Sequence, residues 1–304
     1  YTSQNAPVTL LEREFAVQLG STYALAVSSC SAALFLSLKA LNLPRDARVL
    51  IPAFTFAALP SSVVHAECVP VLCEVGENYR IDLNDFAGKL DQDISAVIIS
   101  HMRGHTSDMD AIMRLCDARD IPVIEDAAHS LGTTWHGKNI GTLGRIGGFS
   151  FQSYKLLNAG EGGILITDDA DLVARATIMS GAYEHAWEKH DIAAETVEKW
   201  QHKLPIYNLR LSNMSAAIVR AQLPEIARRV ADGLRTLERL AEQLTRHPNV
   251  PVPAPLDPET RAPHCRQLHT TDVHESARTC AVGRADAAGV TDQRVGTSAN
   301  APLN

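Results

Sequence analysis

The stretch Ile94-Ser95-Ala96-Val97-Ile98-Ile99-Ser100 is nearly continuous in apolar residues and carries no charge. A half-exposed strand would alternate polar and apolar residues. A run like this marks a strand buried on both faces, as in a parallel sheet covered by helices on each side. His101 follows directly. Thr106 or Ser107 can cap a helix expected from Asp108 to Arg119, whose first turn carries Asp108 and Asp110, where negative charge suits the helix dipole. Ile121 to Ile124 is a second buried strand, ending in Glu125-Asp126-Ala127-Ala128-His129.

The same alternation extends in both directions. Upstream, a helix from Leu10 to Leu19 keeps Glu12, Arg13 and Glu14 on its polar face, and a strand runs from Tyr23 to Val27. The small-residue turn Ser28-Ser29-Cys30-Ser31 leads into a helix from Ala32 to Leu41. Strands follow at Val49 to Ile51 and Cys68 to Val75, with a helix between them ending near Val64. Downstream, Phe149 to Phe151 and Ile164 to Thr167 read as short strands and Ala170 to Ser180 as a helix. Strand and helix alternating through residue 180 predict an α/β fold, a doubly wound and mainly parallel sheet between two helical layers.

Past that point the pattern loosens. Tyr183 to Lys203 is polar, with Trp187 and Trp200, and reads as an irregular excursion. Ser212 to Leu223 and Glu225 to Leu244 read as helices, the second broadly amphipathic. Prolines at 251, 253, 255, 258 and 263 mark a linker, and Cys265 to Asn304 contains no Ile, Phe, Trp, Tyr or Met. Such a segment buries too little apolar surface to offset its ordering entropy. The expected organisation is a large domain over 1–222, the helical start of a small domain over 223–264, and a disordered or aberrant tail over 265–304.

Composition narrows the function classes. A net charge of −7 over 304 residues argues against a nucleic-acid groove. The longest uncharged run, Val49 to Val64, holds Pro52 and Pro60 and is no membrane span. No charged-then-apolar leader opens the chain, and its first residue is Tyr1 rather than Met, which points to a trimmed or fragmentary start. Six cysteines without a pairing framework read as reduced thiols, and none stands at zinc-binding spacing, so no metal is expected. The class that remains is a soluble cytoplasmic protein.

Ligands of doubly wound sheets sit beyond the carboxyl ends of the strands, where Ser29, His101 and Asp126 are all expected. The turn at Ser29 is either an anion site, with unpaired N–H groups at a helix start, or an ordinary serine cap. Asp126 alone would read as a helix cap or the partner of an arginine, and His129 as a core histidine. Lys155 lies in the irregular segment between Phe151 and Gly160-Glu161-Gly162-Gly163. Alone it is a solvated loop charge. With its pKa lowered by its surroundings it becomes an amine able to condense with an aldehyde.

Together these pieces resemble the DegT/DnrJ/EryC1/StrS sugar aminotransferases, which are fold-type-I enzymes that use pyridoxal 5′-phosphate. The resemblance runs from about Glu12 to about Leu244. It rests on Ser29-Cys30-Ser31-Ala32-Ala33-Leu34, Pro52-Ala53-Phe54-Thr55-Phe56, Asp108-Met109-Asp110-Ala111-Ile112, Glu125-Asp126-Ala127-Ala128-His129, Phe149-Ser150-Phe151 through Lys155 to Gly163, and Tyr207-Asn208-Leu209-Arg210. It implies that Lys155 forms the Schiff base and shuttles the proton, and that Asp126 pairs with the pyridine nitrogen. It places Phe56 on the ring and His129 near the phenolic oxygen. The phosphate would take Ser29, Cys30, Ser31 and Ser150, helped by Asn208 from the neighbouring subunit of a homodimer. The implied activity moves an amino group from glutamate or glutamine to a keto-sugar, nucleotide-linked in many relatives. Alternatives on the same scaffold are a sugar dehydratase or other lyase, or a catalytically defective cofactor-binding remnant. Two departures stand out. Cys30 and Ser31 occupy positions where the family usually has glycine and threonine, and the sequence from Cys265 lacks the small domain's expected core, as after a truncation or frame change near residue 264.

Overall fold

The computed structural model describes residues 3–246 apart from 77–78, 182–185, 191 and 245. The expected proline-rich linker and the Cys265 to Asn304 tail lie outside the described residues. The elements in order are α1 (Pro7–Leu19), β1 (Tyr23–Val27), α2 (Cys30–Ala40), β2 (Arg48–Pro52), α3 (Ala58–His65), β3 (Val69–Cys73), α4 (Leu83–Leu90), β4 (Ile94–Ser100), α5 (Met109–Asp117) and β5 (Val123–Asp126). A small hairpin of β6 (Thr134–Trp135) and β7 (Lys138–Asn139) follows. Then come β8 (Ile146–Ser150), β9 (Gly163–Thr167), α6 (Ala170–Met179), α7 (Ala194–Glu198), α8 (Asn213–Arg220) and α9 (Ile226–Leu244). The compact unit that holds the sheet takes in the chain through Glu238.

Among the described residues the main sheet has seven strands in the order β1-β9-β8-β5-β4-β2-β3. Only β9 runs against its neighbours, pairing antiparallel with both β1 and β8. The other pairings are parallel. Strand geometry turns alternate residues to opposite faces, and both faces are apolar. Val97, Ile99 and Val123 join Phe15 of α1, Phe86 of α4, Ile112 of α5 and Val219 of α8 in one core. Ala96, Ile98 and Ile124 join Leu34 and Leu38 of α2 and Val63 of α3 in another. A third, around Leu25, Val27 and Leu165, packs against α2 and α6. This is the three-layer arrangement expected. Each large side chain fully buried here contributes about 1.5–3 kcal/mol of transfer free energy before ordering costs.

Several boundaries differ from expectation, each for a local reason. Helix α2 starts at Cys30, because Ser29 is its N-cap and accepts the Ala32 N–H. Helix α5 is capped by the Asp108 carboxylate rather than by Thr106 or Ser107. Ser107 Oγ accepts the Ile81 N–H instead. Strand β3 begins at Val69 because Cys68 N–H closes the end of α3 on Val63 O. Helix α4, not expected, is short but capped by Asp82 and buries Phe86 and Leu90. Within the excursion from Tyr183 to Lys203, residues 194–198 form α7.

Candidate active site

The site grows from the ends of β4, β5 and β8. In register, Ser100 lies opposite Asp126 and Asp126 opposite Gly148. Asp126 shares a face with Ile124, toward α2, while Glu125 points the other way. Two adjacent carboxylates therefore have different fates. Glu125 is fully buried and saturated. It accepts the N–H groups of Gly141 at 2.8 Å, Leu143 at 2.7 Å and Gly144 at 2.6 Å, and meets His101 Nε2 at 3.0 Å. It anchors the loop before β8 and has no capacity to spare. Asp126 accepts fewer bonds. Ser100 Oγ donates to Oδ2 at 3.1 Å and the Ala128 N–H to Oδ1 at 3.1 Å. Burial pushes its carboxyl above the usual range, against the lowering influence of those donors, of Lys155 and of His101.

Helix α2 delivers its first residue to the same place. Cys30 is buried, and its Sγ lies 3.8 Å from Asp126 Oδ1. Burial pushes this thiol well above its ordinary pKa, and the Asp126 charge adds to the effect. Ser29 uses its hydroxyl as the helix cap and Ser31 is half-buried in the next position. The cap reading of Ser29 therefore holds for its side chain, while the helix start still presents main-chain N–H groups. Gly163 of β9 is required here, since a Cβ on it would sit 2.3 Å from the Ser29 carbonyl carbon.

Lys155 hangs in the loop from β8 to β9. That loop is closed by Phe151 N–H to Gly162 O at 2.8 Å, Ser153 N–H to Gly160 O at 3.0 Å and Ala159 N–H to Phe151 O at 2.9 Å. Gly160 and Gly162 sit at φ 81° and 146°, which glycine alone adopts readily. The Lys155 amine is half-buried, and burial lowers its pKa below 10.5. Asp126 and Cys30 pull it back up, and Arg103 pushes it down. Lysine, aspartate and thiol thus share one electrostatic neighbourhood. Ser150, at the end of β8, is buried and accepts the Gln152 N–H at 3.3 Å.

His129 is half-buried, with Nδ1 3.5 Å from the Arg103 N–H. Arg103 occupies a left-handed backbone conformation at φ 59° in the turn after β4. Two expected site residues remain at the periphery: Phe56 is 63% exposed beyond β2, and Asn208 is exposed beside Leu209, whose carbonyl takes the Ser28 N–H at 2.8 Å. Sequence reading missed Ser100 as a partner of Asp126. It also missed the direction of the Cys30 side chain, because both depend on strand register and on how α2 packs over the sheet.

The sequence profile of the DegT/DnrJ/EryC1/StrS aminotransferase family matches residues 2–295, past the Leu244 limit of the motifs. The spore coat polysaccharide biosynthesis protein SpsC of Bacillus subtilis is 32% identical over 231 residues, 74% of this chain and 58% of that protein. The 3-amino-5-hydroxybenzoate synthase of Amycolatopsis mediterranei is 33% identical over 226 residues, 74% of this chain and 56% of that one. The chain thus spans little more than half the length of these relatives. Among solved structures, a 3-amino-5-hydroxybenzoic acid synthase superposes with a TM-score of 0.80 at 29% identity, covering 94% of this chain and 73% of that one. A GDP-4-keto-6-deoxymannose-3-dehydratase shares the fold with a TM-score of 0.81 at 23% identity, over 93% of this chain and 76% of that one. With the matched profile covering nearly all of its length, this chain belongs to the DegT/DnrJ/EryC1/StrS aminotransferase family.

Proposed function

We propose that the protein is a pyridoxal-phosphate-dependent aminotransferase that moves an amino group from glutamate or glutamine to a keto-sugar, nucleotide-linked in our reading. One observation carries this: Lys155 and Asp126 feel each other's charge at the carboxyl end of β5, with burial pushing each toward its neutral form. Family membership and the named relatives, a 3-amino-5-hydroxybenzoate synthase and several GDP-perosamine synthases, support it.

The residues suit the cofactor by their donor chemistry. Asp126 keeps acceptor capacity on Oδ2, the start of α2 offers N–H groups to a phosphate, and Lys155 offers an amine. When bound, pyridoxal phosphate supplies an aldehyde for amines and a ring that accepts electrons. In this reading Lys155 is the catalytic amine: it would hold the cofactor through its aldehyde and would carry the proton to and from the substrate carbon. Asp126 would pair with the ring nitrogen and keep it protonated. Phe56 would stack on the ring and His129 would lie near its phenolic oxygen. Ser29, Cys30, Ser31 and Ser150 would hold the phosphate, with Asn208 contributed by a second copy of the chain. The donor takes its new carbonyl oxygen from one water and leaves as a keto acid, and the acceptor gives up its carbonyl oxygen as another water, so nitrogen and oxygen both balance.

The same reading extends to organisation. We take residues 1–222 as the cofactor-binding domain, 223–264 as the start of a small domain and 265–304 as a tail outside both. The protein would act as a homodimer in the cytoplasm, in keeping with the free, buried thiols Cys30, Cys68, Cys73 and Cys116. Among the described residues no helix is long and apolar enough to cross a membrane.

The test is direct. Purified protein mixed with pyridoxal phosphate should show a new absorbance band that borohydride fixes covalently on Lys155 and that Lys155→Ala abolishes. No such band would end the reading. Nitrogen-labelled glutamate then separates amino transfer from dehydration, since only transfer places the label in the sugar product. Sedimentation of the loaded protein should give a dimer, and a monomer that still binds tightly would remove Asn208 from the site.

A further inference from the structure

The position of Cys30 has a consequence for Asp126 beyond the reading above, on which it rests. A carboxylate has about four lone-pair directions, two on each oxygen. Asp126 Oδ1 receives two donors, the Ala128 N–H at 3.1 Å and the Cys30 thiol at 3.8 Å. Oδ2 receives one, Ser100 Oγ at 3.1 Å. The direction of the Cys30 contact is settled by chemistry. A thiol this deeply buried, beside a carboxylate, remains S–H, so sulfur donates and oxygen accepts. The thiol is also held in place. It starts α2, is 8% exposed, and lies over Gly148, where a Cβ would stand 3.6 Å from the sulfur.

We propose that Cys30 is a positioning residue: its S–H fills the second lone pair of Asp126 Oδ1 and leaves Oδ2 as the oxygen that takes the N–H of the cofactor ring. Sequence comparison alone would count Cys30 as a substitution in a phosphate turn. The structure places its side chain against Asp126, while its main chain belongs to the turn. The groups facing Asp126 are then Ser100, the Ala128 N–H, Cys30, Lys155 and His101.

A hydrogen-bond role and a packing role predict different orders among simple variants. Donor strength rises from alanine through cysteine to serine, whereas side-chain volume rises from alanine through serine to cysteine. The experiment follows the Asp126 carboxyl carbon by NMR through a pH titration of the full chain without cofactor, with the signal assigned by its loss in Asp126→Asn. Cys30→Ala should raise the apparent Asp126 pKa and Cys30→Ser should lower it, each by about half a unit, the size of one weak hydrogen bond. A serine value between those of alanine and the native chain, or three values that coincide, would overturn the proposal. Should Cys30→Ala fail to fold, the native chain still decides. Its Cys30 S–H infrared band, assigned by its loss in Cys30→Ser, should move to higher frequency in Asp126→Asn, and an unmoved band refutes the bond. Loaded with ring-15N pyridoxal phosphate, the ring-nitrogen shift should follow the donor order across the variants. Absence of any binding would defeat the aminotransferase reading, while the cofactor-free titration would still decide the Cys30 bond.

Discussion

Two buried carboxylates each face a lysine, and the molecule treats them in opposite ways. In the first region Glu12 of α1, 2% exposed, accepts Lys189 Nζ at 2.8 Å and the Ala26 N–H of β1 at 2.9 Å. Both bonds fall on Oε1, while Oε2 is buried 3.9 Å from His190 Nε2 without a hydrogen bond, and the pair ties the turn around Lys189 to the first helix and the edge of the sheet. In the second region Asp126 and Lys155 feel each other's charge without forming a direct ion pair, and burial moves both pKa values toward neutrality. A buried pair in contact offsets part of the cost of burying both charges, so removing one partner leaves the other uncompensated. The same groups held apart keep their reactivity and cost stability. The Asp126 region is where chemistry is expected, since perturbed titratable groups cluster at functional sites.

The contrast can be broken most directly at Glu12. Glu12→Ala leaves Lys189 buried without its partner and should cost about 3–5 kcal/mol, read as a large fall in urea midpoint. A loss below about 1 kcal/mol would place this pair with ordinary surface bridges. Next comes acid. His190, near Glu12, is pushed down from 6.5 to about 4 by burial. Its folded pKa lies below its unfolded one, so its contribution is present above pH 6.5 and is lost as the pH falls toward about 4. The full window is worth on the order of 3 kcal/mol. Denaturant titrations at several pH values should show that slope in the native chain and a shallower one in His190→Gln.

The second region should answer with the opposite sign. The Asp126 pKa is raised by folding, so ionising it at neutral pH costs stability that is present only below its unfolded value. Asp126→Asn should therefore stabilise the cofactor-free protein at pH 7 by about 0.5–2 kcal/mol, while removing the group we propose to pair with the ring nitrogen. A lowered melting temperature would mean that Asp126 is structural, like Glu12. The smallest effect is the control. The exposed bridge from Arg220 to Glu14, with Nε at 2.9 Å, joins α8 to α1. Arg220→Ala should cost no more than about 0.2–1 kcal/mol, and most of that should vanish in high salt.

How far the site was legible follows from where its parts lie in the chain. The apolar pattern placed Glu125-Asp126 and Lys155 at strand ends unaided, and the resemblance of the surrounding motifs then singled out Asp126 and Lys155. Helix α4 was legible in principle, with Asp82 as cap and Phe86 and Leu90 spaced for one face, but eight residues is a weak periodic signal. The reversed β9 had no local mark. Its direction follows from the short loop from Phe151 to Gly162, which returns the chain beside β8 rather than across the sheet.

By itself the sequence determined the alternation of elements, the buried parallel strands and the order of the family's motifs, because hydrophobic period and turn chemistry are local properties. Only the tertiary structure decided which of two adjacent carboxylates is spent. Glu125 and Asp126 are chemically alike and one residue apart, yet the pleat sends one toward three loop N–H groups and His101, the other toward Ser100, Cys30 and Lys155. The same holds for Cys30. Its place at the head of α2 is read from Ser29 as cap, but its bond to Asp126 exists only because parallel register brings Asp126 and Gly148 beneath that helix. Such contacts join residues 96 positions apart, and no local pattern in the chain encodes them.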